Sequence, residues 1–239
     1  MHQYYRSHIK NYRKDIYVLC NYVRTEMADL FSEEPDLVIN GIQDSFVEEI
    51  LPDMPYVGGS SNSNDTSNLI SCCEFAAFFV VGRRYGVSDE GIGELLHIAW
   101  KRKHKRVSPG TSRILRDLLS RKIVQRTILP SFASKSERMS REYEYAWRFE
   151  YAEPDDEYSV KIYCTRCGAC SYLTKKGLAD IMPYICNIDF ETASAYGVPY
   201  YRNEVIAYGD KRCANLVKRN APVITDNYPP HGLRCDGLK

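Results

Sequence analysis

Long apolar runs are missing from this 239-residue chain, and no stretch approaches the roughly 20 residues that a membrane-spanning helix needs. The opening MHQYYRSHIKNYRKD carries no apolar segment of the secretory kind, so a cytoplasmic protein is expected. A charge excess of either sign is also lacking. Thirty-two Lys and Arg stand against 31 Asp and Glu, a net charge of +1, which gives no general pull toward nucleic acid or an anionic membrane. Tryptophan is scarce, with two residues, and there is no repeat or low-complexity tract. Apolar residues at 44% and charged residues at 26% are those of an ordinary folded domain.

Cysteine, in contrast, is plentiful. There are nine, and Cys164, Cys167, Cys170, Cys186 and Cys213 fall in one C-terminal stretch. In a reducing compartment such residues serve as thiols, nucleophiles or metal ligands rather than as disulfides.

The first 140 residues carry helical patterning. Ile9, Tyr12, Ile16, Leu19, Val23, Met27 and Leu30 recur at spacings of three and four, predicting one helix over 4–31. Pro35 ends it and Asp36 caps a second, running to about Ile50. A turn-rich loop follows, and Thr66 is expected to open a third helix that closes at Gly86. Ser88 caps the next, whose far end carries the basic run Lys101 to Arg106, a solvated helix end by this reading. Helix is expected again from Thr111 to Lys122 and on to Ser140.

After Arg141 the period changes to two. Tyr143, Tyr145, Trp147, Phe149 and Tyr151 alternate with polar or small residues, and Tyr158 to Cys164 alternates again beyond a Pro-Asp-Asp turn, predicting a β-hairpin. A helix from about Leu173 to Tyr196, interrupted near Gly177 and Pro183, leads to a second strand pair over 200–208 and 213–219. The expected class is α+β: a helical N-terminal half, then a four-stranded antiparallel sheet with helices on one face, an α/β plait. Residues 1–140, 141–220 and an irregular tail 221–239 are read as parts of one integrated domain.

Four short motifs in register carry a resemblance. Cys164-Thr165-Arg166-Cys167, Gly177-Leu178, Cys186-x-x-Asp189 and Gly209-Asp210-x-x-Cys213 resemble the C-terminal signature of the L-2-amino-thiazoline-4-carboxylic acid hydrolase family. Upstream, Leu51-Pro52 and Tyr56-Val57-Gly58-Gly59 with Asn62 and Thr66 are similar to a loop of the same family, so the likeness spans roughly residues 50 to 220. Two positions depart from it: Gly168 stands where relatives commonly have Pro, and Asn215 where an aromatic is common. The Cys-x-x-Asp helix and the Gly-Asp-x-x-Cys hairpin also look similar to 4-vinyl reductase domains, small-molecule binders on an α/β plait. That second likeness warns that the fold serves binders as well as enzymes.

The resemblance implies a hydrolase that opens a small cyclic C–N substrate. Cys167 is the expected nucleophile, placed where a strand gives way to a helix, with Arg166 beside it and a helix N-terminus to lower its pKa. Cys186 and Asp189 are three apart on a helix and share a face, so Asp189 and, at its turn, Asp210 are the candidate proton carriers. Cys186 and Cys213 are candidate substrate contacts, with Arg166 and the Gly58-Gly59-x-x-Asn62 loop as a seat for a carboxylate. No cofactor is expected. The alternative is zinc on Cys164, Cys167 and Cys170, whose spacing is knuckle-like. A small-molecule substrate is the expected partner, without nucleic acid or membrane, and homo-oligomerisation is left open.

Overall fold

The computed structural model describes residues 1–224, so the tail from 225 onward, with Pro229, Pro230 and His231, lies outside the described residues. Among these, the chain builds ten α-helices and four strands. The helices α1 (Gln3–Arg6), α2 (Ile9–Asn21), α3 (Arg24–Phe31) and α4 (Pro35–Ser45) come first, and α4 runs into a π-helical turn at Phe46–Ile50. Single-turn 3-10 segments at Leu51–Asp53 and Gly59–Asn62 lead to the long α5 (Ser63–Arg84). Then follow α6 (Asp89–Lys103), α7 (Pro109–Leu119), a second π-helical turn (Val124–Ile128) and α8 (Leu129–Glu142). The remainder is β1 (Arg148–Ala152), β2 (Tyr158–Arg166), α9 (Gly168–Lys175), α10 (Met182–Ala195), β3 (Tyr200–Tyr201) and β4 (Cys213–Lys218).

The single helix expected over 4–31 is three helices, broken at Ser7–His8 and at Tyr22–Val23. The apolar stripe persists across the breaks, because Tyr12, Ile16, Leu19, Val23 and Met27 are all buried. Periodicity reports the buried face and does not register a local change of axis. Ser88 caps α6 as expected, its hydroxyl accepting the Gly91 N–H at 3.2 Å.

The middle of the molecule is α5. Cys73, Phe75, Ala76, Ala77, Phe78, Phe79 and Val81 are buried on several sides of it at once. A helix with apolar residues all round is stable only inside a protein. It packs against α4, α6 and α9, and so joins the N-terminal helices to the C-terminal part. One apolar core extends from Tyr5 of α1 to Cys213 of β4.

The sheet is antiparallel in the order β1-β2-β4-β3. The alternation from Tyr143 yields a strand only from Arg148, because residues 143–147 are held as a turn by other partners. In the second pair β3 is two residues long; residues 202–205 of the expected strand are irregular and a 3-10 turn forms at Ile206–Tyr208. Register places Cys164 directly opposite Cys213 and Ile162 opposite Asn215. Those side chains share one face of the sheet, since alternate residues point the same way. The outer edge at β1 is covered by α8: Ser136 Oγ accepts the Phe149 N–H at 2.9 Å and lies 3.3 Å from its carbonyl.

Candidate active site

Between that face of the sheet and the helices α5, α7 and α10 lies an open cleft of about 810 Å³. Four of its walls are legible as local geometry. From β2 and β4 come Cys164, Cys213 and Asn215, all on one face by register. From α10 come Ile185, Cys186, Asp189 and Thr192, spaced by three and four and hence on one stripe. From α5 come Asn68, Ser71, Cys72 and Phe75. Cys167, at the junction of β2 and α9, lines the same space.

Cys167 is the N-cap of α9, and its Sγ accepts the Cys170 N–H at 3.4 Å. The expected position at a helix start is therefore occupied. The expected lowering of its pKa is reversed, however. Burial pushes the Cys167 thiol up to about 12, outweighing the N–H of Cys170, and the neighbouring Cys213, Cys170 and Asp189 push the same way. Burial also raises Cys72, Cys164 and Cys186 well above the ordinary thiol value, and Cys213 in the same direction. Taking a thiolate out of water costs more here than one helix N-terminus returns.

Arg166 does not supply the missing charge. Its guanidinium donates to three backbone carbonyls, Ala146 at 3.0 Å, Ser140 at 2.6 Å and Tyr143 at 3.1 Å. It clamps the turn between α8 and β1 and is not among the residues lining the cleft. Asp210 likewise works within its turn, its Oδ2 accepting the Val205 N–H at 2.8 Å. Asp189, by comparison, faces the cleft with 60% of its side chain exposed.

The glycine loop has a supporting role. Gly58 and Gly59 take φ of +108° and +53°, conformations that disfavour other residues. Asn62 is buried and donates to the Val57 carbonyl and to Asp65 Oδ2, both at 2.9 Å. Asp65 Oδ2 in turn accepts the Trp147 N–H at 3.0 Å. Trp147 is a wall of the cleft, so the loop reaches the site through Asp65 rather than by contact.

Both departures from the motif pattern have a place in this geometry. A Cβ on Gly168 would lie 1.9 Å from the Tyr145 carbonyl oxygen and about 3 Å from the Trp147 ring, so no larger residue, proline included, fits there. Asn215 belongs to a polar cluster that the motifs do not contain. Its Oδ1 accepts from Tyr200 Oη at 2.5 Å and from Arg202 Nη2 at 3.0 Å. Arg202 also donates to Asp189 Oδ2, to Tyr200 Oη and to the Cys186 carbonyl. Its guanidinium is 5.2 Å from the Tyr200 ring centroid and its side chain is 5% exposed.

Arg202 and Tyr200 were not among the residues expected from sequence. They sit two apart around the short β3, which puts them on one face, and continuing the β3–β4 register by one residue sets Arg202 opposite Asn215. The period-two pattern Tyr-x-Arg facing Asn was the available signal.

Among the described residues no group of three or more His, Cys, Asp or Glu is arranged to hold a metal ion. Cys164 and Cys167 are engaged separately, with Cys164 Sγ 3.2 Å from the Arg166 carbonyl. No helix among the described residues is long and apolar enough to cross a membrane.

The scaffold is α+β, and its cleft is lined by five thiols together with Asp189 and the buried Arg202. The model of the L-2-amino-thiazoline-4-carboxylic acid hydrolase family matches residues 93–215, just over half the chain, and the chain belongs to that family. The matched span contains Cys167, Cys186, Asp189, Arg202 and Cys213, while α5 and the glycine loop lie before it. No curated protein and no solved structure matches the chain.

Proposed function

We propose that the chain hydrolyses a C–N bond of a small cyclic amidine, with Cys167 as nucleophile and Asp189 moving the proton. The observation that carries this is that Cys167 and Asp189 line one cleft, near enough for the carboxylate to act on the thiol, within a family described as hydrolases. Because the resting thiol is protonated, attack needs a base in place at the moment of reaction. Asp189 takes the proton as Sγ bonds to the amidine carbon. The tetrahedral adduct then expels one nitrogen, which leaves with that proton; water adds to the carbon of the resulting thioimidate and expels Cys167 Sγ, which takes up a proton from that water. Arg202 holds the Asp189 carboxylate in place through the ion pair and is a positioning residue.

The second reading is a binding domain without turnover, and the raised pKa of every thiol named in the cleft favours it. Cys167→Ala separates the two. Under the hydrolase reading it abolishes ammonia or ring-opened product from 2-amino-thiazoline-4-carboxylic acid while calorimetric binding persists. If wild-type protein binds the compound and never turns it over, the binding reading holds.

A further inference from the structure

The cleft is larger than the compound that names the family, and much of its lining is apolar. Its volume of about 810 Å³ lies in the upper part of the ~300–1,000 Å³ range of clefts that enclose drug-sized ligands. A single five-membered ring with one carboxylate fills a small fraction of that. Asp189 and Arg202 are bonded to each other in its lining, while Phe75, Trp100, Trp147, Leu115, Leu118 and Leu119 make much of the remaining surface apolar.

Helix α7 adds a second, independent observation. It is amphipathic, and Leu115, Leu118 and Leu119 line the cleft, yet no residue of α7 is buried. Leu118 is 43% exposed. A helix normally buries its apolar face against the core; this face looks into the cleft instead. The charge in the cleft matters too. Among the described residues lining the cleft, Asp189 and Arg202 are the one anion and the one cation of the acidic and basic side chains, and they are paired. The exposed carboxylate suits the N–H groups of a planar amidinium, and no unpaired cation lines the cleft to require a carboxylate on the ligand.

We propose that the ligand is an amphipathic amidine: a C–N head seated at Asp189 beside Cys167, and an apolar body, larger than the head, laid against the leucine face of α7. This rests on the amidine reading of the same site and extends it to the part of the substrate away from the reacting atoms.

The test uses the protein's two tryptophans, Trp100 and Trp147, which both line the cleft and report its filling by fluorescence. Acetamidine, butanamidine and hexanamidine are titrated, and hexanamidine and 2-amino-thiazoline-4-carboxylic acid are assayed for turnover with the same preparation. The expected result is a dissociation constant that falls by about 200-fold from acetamidine to hexanamidine, as about 0.8 kcal/mol per buried methylene implies. In the double variant Leu115→Ser, Leu118→Ser most of that gain disappears. An affinity independent of chain length, or a gain untouched by the double variant, overturns the proposal. The two readings fail separately. Chain-length-dependent binding with no ammonia released from hexanamidine or from the thiazoline keeps the amphipathic ligand and removes the hydrolase, whereas turnover with a flat series does the reverse.

Discussion

Arg202 lies beneath Asp189, its side chain 5% exposed while the carboxylate it holds is 60% exposed at the cleft. The buried member of this ion pair also donates to Tyr200 Oη, Asn215 Oδ1 and the Cys186 carbonyl, so one guanidinium ties α10 to β3 and β4. Positive charge buried this way is tolerated because most of its donors are satisfied and an anion is adjacent. The consequence is an acidic group presented to the cleft at a defined place, with its orientation set from below.

Arg202→Met keeps the approximate volume and removes the donors. Asp189 stays hydrated, so the stability cost comes chiefly from the acceptors left behind and is expected at about 1–3 kcal/mol. Turnover should fall far more, by about 10²-fold or beyond, because a mispositioned proton carrier loses most of its effect. Arg202→Lys restores charge without the planar fork and should recover stability better than kcat. Denaturant melts and steady-state kinetics on the two variants check this; equal losses in stability and kcat for both would make Arg202 purely structural.

Thiol chemistry gives a second test. With burial holding Cys167 near 12, limited iodoacetamide labelling of the ligand-free protein at neutral pH should be slow there, and should accelerate as pH rises. The thiolate is the reacting species, so rate follows its fraction. Mass-spectrometric mapping across pH 7 to 10 reads this directly. Rapid, selective labelling of Cys167 at pH 7 would mean that an unrecognised neighbour stabilises the thiolate.

Gly168 is expected to be irreplaceable for steric reasons. Its backbone passes against the Tyr145 carbonyl oxygen, 1.9 Å from where a methyl group would sit, and neither neighbour is a flexible side-chain end. Gly168→Ala should lower stability by about 1–3 kcal/mol, the usual range for forcing atoms into a packed site. Because the Trp147 ring is the next atom group in the way, tryptophan emission should shift as well. A variant with an unchanged melting temperature would show that β1 and α9 approach less closely.

Much of this was legible from patterning. Period-two alternation in 158–164 gave β2, and the change from helical to strand periodicity near residue 141 gave the α+β class. The motif residues Cys167, Cys186, Asp189 and Cys213 do gather at one cleft. What could not be read is where polar side chains spend their bonds. Arg166 sits beside Cys167 in sequence but points to carbonyls across the β1–β2 edge, since adjacent strand residues face opposite ways. The thiol pKa values follow from burial created by α5 and α10, elements far from Cys167 in the chain. Arg202 carries no motif and acquires its place only when β3 pairs with β4.

Glu74, in the middle of the central helix α5, makes stability depend on pH in the unusual direction. It is 8% exposed, and its Oε1 has no hydrogen-bond partner among the described residues. Burial pushes its pKa up to about 8, with the charge of Asp15 adding to the shift and that of Lys103 opposing it. The folded protein therefore holds a proton on Glu74 that the unfolded chain releases near its ordinary value of 4.5. Its contribution to stability is fully present below that ordinary value and is lost as pH rises through about 8. At about 1.4 kcal/mol per pH unit the loss amounts to several kcal/mol across the window. Glu74→Gln carries no ionisable proton and keeps the shape, so its stability should be nearly flat over the same range and should exceed wild type most at pH 8. Urea unfolding of both proteins at pH 5, 6.5 and 8 decides it. Parallel curves would mean that Glu74 is ionised in the folded protein.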